Sequence, residues 1–131
     1  MPGDGPGGNI LSEGMAHFST GLLFDQVKGL RSRIAFFELI EDQYGERRSV
    51  DSERPLVEID GSKSGDTTVT YDKGGWVFWM LLNHMGRTDN LQGIQAFIVK
   101  YNKTKNDYPV LHDFVNHMRD FADDKDAYDQ F

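Results

Sequence analysis

The chain has 131 residues and a formal net charge of -7 at pH 7, which fits one acidic domain. With no cluster of lysine and arginine, it is not expected to track nucleic-acid phosphates. Cysteine is absent, which excludes disulfides and thiolate metal sites and leaves the compartment open. The longest apolar run, Trp76 to Leu82, is far short of the roughly 20 residues a membrane span needs. No membrane segment is therefore expected in this chain.

Residues 1–9, MPGDGPGGN, read as a flexible leader or a loop, since glycine and proline break regular structure. Asn9, ahead of an apolar run, suits a helix N-cap. From Ile10 to about Gln43 the spacing predicts a long helix. Met15, Phe18, Leu22, Val27, Leu30, Ile34 and Phe37 recur at three- and four-residue steps, with one five-residue step, and suit one packed face. Gly21 and Gly29 mark a kink or a close helix crossing, and Gly45 is a natural terminator. Residues 46–70 lose the period, with Pro55, Gly61 and Gly65 interrupting. Leu56 to Ile59 reads as a short extended piece there, and 62–68 as a turn or mobile loop.

Three more helices are expected. Lys73 to Met85 is aromatic and apolar almost all round, the mark of a buried helix. Asp89 to about Lys100 follows, with Thr88 or Asp89 as its cap. Pro109 to about Asp120 completes the set, with proline at a good starting position. The acidic tail ends on "AYDQF", which resembles part of a packing element. Residues 10–131 thus read as an all-α bundle of about four main helices, with a long irregular loop between the first and second.

Few residues suggest chemistry by themselves. Glu13 and His17 share a helical face, but one such pair is a weak metal signal. His112 and His117 are five apart and point in different directions, so they do not match the i, i+4 spacing of a zinc helix. Tyr71 stands beside Asp72, Lys73, Gly74 and Gly75, at the mouth of the most buried helix. A phenol held there could donate to a developing oxyanion.

Two stretches together resemble a known family. "LSEGMAHFS", from Leu11, resembles the W-L-N-E-G-F-A-x-Y segment of aminopeptidase N-type zinc metallopeptidases, the gluzincins. "YDKGGWVFWMLLNHMG", from Tyr71, resembles their Y-x-K-G segment. Their order and a separation of about sixty residues agree with the family. "RPLVEID" and "NDYPVLHDFVNHM" fall where the family has related stretches, so the resemblance runs from Ile10 onward. It implies that the chain is the C-terminal half of a thermolysin-like catalytic domain. It implies Glu13 as the third zinc ligand and Tyr71 as the stabiliser of the tetrahedral intermediate. The parent would then be a zinc peptidase acting on peptide substrates.

Ser12 and Met15 depart from the family's asparagine and phenylalanine. The larger departure is that neither H-E-x-x-H nor the amine-reading domain lies in this sequence. The isolated chain is therefore expected to be inactive and to hold no zinc tightly. The apolar face of the first helix, carrying Met15, Phe18 and Leu22, is expected to be uncovered and to favour self-association. Two other readings stand beside this one. One is a non-catalytic helical interaction domain; the other is a glycyl-aminopeptidase-type gluzincin, which also carries S-E-G and Y-x-K-G segments.

Overall fold

The computed structural model describes residues 5–48, 53–102 and 108–131. Among these residues all regular structure is helical. The expected first helix is three pieces: a π-helical turn, Ile10–Gly14, then α1, Met15–Val27, then α2, Leu30–Arg47. Gly29 makes the break, with φ at +81°, a conformation that side chains disfavour. α2 then folds back along α1. The two cross closely at Gly21, where a Cβ would come within 2.6 Å of the Phe37 ring.

This reversal resets the apolar stripe. Phe18 and Phe37 are buried, but Val27 (69 % exposed), Leu30 (56 %) and Ile34 (42 %) face solvent. α2 instead buries Phe37 and Ile40. The uncovered patch expected at Met15, Phe18 and Leu22 is not there: Phe18 is buried and the other two are half-buried. The large exposed apolar residues of the hairpin are Leu23, Val27, Leu30, Ile34 and Leu39.

Other boundaries shift for local reasons. Gly45 does not end α2, which continues to Arg47, since glycine weakens a helix by only ~1 kcal/mol. Asn9 is no cap; it is already helical and its side chain makes no capping bond. Before it, Gly7 and Gly8 are buried, and the Gly7 N–H donates to the Ile59 carbonyl at 2.7 Å. Residues 1–4 of the expected leader, and 49–52 of the expected loop, lie outside the described residues.

Leu56–Glu58 is a 3-10 turn rather than an extended piece, closed by the Glu58 N–H on the Pro55 carbonyl at 2.9 Å. The loop also ends early. Helical backbone resumes at α3, Asp66–Thr68, passes through a second π-helical turn, Val69–Lys73, and continues as α4, Gly74–Met85. Asp66, only 1 % exposed, secures this start. It accepts from the Arg54 guanidinium at 2.6 Å and from the Lys63 N–H at 3.2 Å.

Gly86, with φ at +87°, separates α4 from α5, Arg87–Asn102. Thr88 and Asp89 therefore sit inside α5 rather than capping it. α6, Leu111–Arg119, starts two residues after Pro109, where Asp113 accepts the Val110 N–H at 2.9 Å. The tail forms α7, Lys125–Gln130, capped by Asp124 on the Ala127 N–H at 2.9 Å. Among the described residues, seven α-helical segments, one a single turn, thus stand where about four main helices were expected.

α4 runs through the core. Phe78 meets Phe114 edge-on at 5.4 Å and Phe18 at 6.3 Å, while Trp79 lies 4.8 Å from Phe37. Such ring pairs add to the burial of apolar area. No helix among the described residues is long and apolar enough to cross a membrane.

Candidate active site

The two π-helical turns lie against each other, and glycines set the distance. A Cβ on Gly14 would come within 3.2 Å of the Gly74 Cα. A Cβ on Gly75 would come within 2.7 Å of the His17 Cβ. The glycine after Glu13 and the pair after Lys73 are therefore where two backbones touch. A π-helical turn widens the helix by one residue and often marks a functional site.

This contact brings the two sequence-predicted site residues together. The Tyr71 phenol lies beside the Glu13 carboxylate, and interaction with that carboxylate first, then burial, raises the phenol above its ordinary value of 10.0. Both side chains are half-buried. Glu13 thus has a partner, as a partly desolvated carboxylate requires. Tyr71 itself sits inside the second π-helical turn, not at a helix mouth.

His17 braces this arrangement. Its Nδ1–H donates to the Tyr71 backbone carbonyl at 2.8 Å, which fixes its tautomer. Its ring lies 5.5 Å from the Tyr71 ring and meets Phe36 edge-on at 5.9 Å. His84 and His117 likewise hold backbone carbonyls, of Ala127 and Gly93, each at 3.0 Å. His112 is exposed. Lys73 reaches outward to Glu53 at 3.1 Å, where Arg48 and the Tyr44 hydroxyl converge on the same carboxylate.

Asp72 is the residue that sequence reasoning passed over. It is 3 % exposed, and burial pushes its carboxyl above the ordinary value, against the opposing pull of His17 and Arg47. The available signal was an aspartate inside an otherwise buried helical run. Beside it lies a polar pocket of about 200 Å³ that also touches Tyr71. A separate apolar cavity of about 330 Å³, between Phe78, Leu81, Leu111 and Phe114, includes neither Glu13 nor Tyr71 in its lining.

Among the described residues no three histidine or acidic side chains converge to hold a metal ion. The sequence-predicted pair is one carboxylate, Glu13, with the Tyr71 hydroxyl beside it. Comparison with family models, curated proteins and solved structures gave no match to this chain.

Proposed function

We propose that the chain is the helical second half of a zinc aminopeptidase catalytic domain. Glu13 is the third zinc ligand and Tyr71 the donor to the tetrahedral intermediate. The supporting observation is that the Tyr71 phenol and the Glu13 carboxylate lie beside each other across about sixty residues of sequence, with Glu13 the main cause of the phenol's raised value. The buried glycines Gly14, Gly74 and Gly75 add to it, since the motif's spacing then has a backbone reason.

One carboxylate is a third of the protein ligands that a catalytic zinc takes. The donor chemistry of Glu13 fits that part, and the remaining ligands belong to chain beyond these residues. When bound, the metal supplies an activated water and polarises the scissile carbonyl. The chain's own part is to orient the carboxylate and the phenol. Glu13 would help hold the metal, and the Tyr71 hydroxyl beside it would donate to the substrate oxyanion.

The isolated chain, mixed with zinc and an aminoacyl p-nitroanilide, should release no more colour than zinc alone. In the full reading frame, Tyr71→Phe should keep its zinc and lose about 10²–10³ in kcat. Glu13→Gln should lower zinc content. A reading frame without H-E-x-x-H ahead of Glu13, or a Tyr71→Phe enzyme with native kcat, would refute the assignment.

A further inference from the structure

The polar pocket beside Tyr71 has opposite charges around it. Asp72 is on the second π-helical turn and Arg47 on the last turn of α2. His17, Gln43, Thr67, Thr68 and Tyr71 complete the lining. Asp72 is almost fully buried, yet among the described residues no hydrogen bond reaches its carboxylate. His17 Nδ1 lies 3.9 Å from it, and that nitrogen already donates to the Tyr71 carbonyl. Arg47 is exposed and forms no salt bridge among the described residues.

A carboxylate on a side chain this nearly buried, with no hydrogen-bond donor among the described residues, is costly to keep. A cavity at its open side is where a donor would enter. A ligand bearing only a cation would satisfy Asp72 and repel Arg47; one bearing only an anion would do the reverse. A ligand with both charges satisfies both, through charge-assisted hydrogen bonds. A hollow of about 200 Å³ is smaller than pockets for drug-sized molecules, which run roughly 300–1,000 Å³, and suits one residue.

We propose that this pocket binds a small zwitterion of the α-amino-acid class, its ammonium on Asp72 and its carboxylate on Arg47. The threonine hydroxyls and the Gln43 amide are available for the remaining polar atoms. The site stands without the peptidase reading. Where both hold, the residue released by hydrolysis has a seat beside Tyr71.

The test is a titration of the purified chain, followed by amide NMR, with L-alanine and separately with its two half-molecules, ethylamine and propionate. L-Alanine should shift the amides of Thr67, Thr68 and Asp72 to saturation, at least about tenfold more tightly than either half. Asp72→Asn should weaken L-alanine by about tenfold and raise the thermal midpoint, because an uncompensated buried charge is removed. Arg47→Gln, at an exposed position, should weaken it similarly without loss of fold. Equal binding of alanine and ethylamine, absence of saturation, or native affinity in either variant overturns the proposal. Zinc and hydrolysis play no part in this readout, so it can fail or succeed apart from the peptidase assignment.

Discussion

The C-terminal helices and the paired π-helical turns hold together by different means. α5, α6 and α4 meet through side chains: Phe97 lies edge-on to Phe114 at 5.2 Å, and Phe114 to Phe78 at 5.4 Å. The turns at Ile10–Gly14 and Val69–Lys73 meet through backbone at Gly14 and Gly74. Side-chain packing is graded, so a lost ring leaves a cavity whose cost follows its size. Backbone contact has a threshold, so one added methyl must displace something. Glu13, His17, Tyr71 and Asp72 lie at the second kind of joint.

Four substitutions probe that contrast. Phe114→Ala, at a 1 % exposed ring, should cost about 3–5 kcal/mol in urea unfolding. A loss below 1 kcal/mol would mean that the helices there are held by something else. Gly75→Ala places a methyl 2.7 Å from the His17 Cβ and should cost about 1–3 kcal/mol. Gly45→Ala is the control, with nothing within 4 Å of its added Cβ. It should stabilise α2 by about 0.5–1 kcal/mol, and a loss of stability would show hidden contact.

The smallest effect is electrostatic. A phenol raised on folding adds stability that is fully present below the ordinary value of 10.0 and is lost as pH rises through its folded value. Glu13→Ala removes the largest cause of that rise. Tyr71, read by tyrosinate absorbance against a Tyr71→Phe blank, should then titrate closer to its ordinary value. A curve that stays where it was would separate Glu13 from Tyr71.

The sequence was most legible where helices are regular. Lys73 to Met85 was expected to be buried almost all round, and it buries Phe78, Trp79, Leu81, Leu82 and Met85, while Met80, Asn83 and His84 face solvent. Phe18 and Phe37 were readable as core because both lie on the expected stripe. Leu30 and Ile34 lie on the same stripe and face solvent, because the Gly29 reversal restarts the phase and periodicity carries no record of a turn's direction. The start at Asp66 was hidden for another reason: a salt bridge from Arg54, twelve residues earlier, holds it. Glu13 and Tyr71 could be named from motif resemblance, but their meeting depends on two π-helical turns, which no hydrophobic period encodes. Asp72 and Arg47 stand far apart in sequence and share no motif, so only folding shows them around one pocket.

The last helix has a shallow root. α7 spans six residues, too short to persist in water by itself. Tyr128 anchors it, buried, with its hydroxyl donating to the Val115 carbonyl at 2.8 Å and its phenol pushed up to about 12. Phe131 adds one stacked ring against His84 at 5.2 Å. Hydrogen exchange should therefore find the amides of 125–130 opening by themselves, long before those of α4, with the rest of the molecule intact. Detachment of this segment would uncover the rim of the apolar cavity that Tyr128 and Phe131 help to line, making that hollow accessible on a timescale faster than global unfolding.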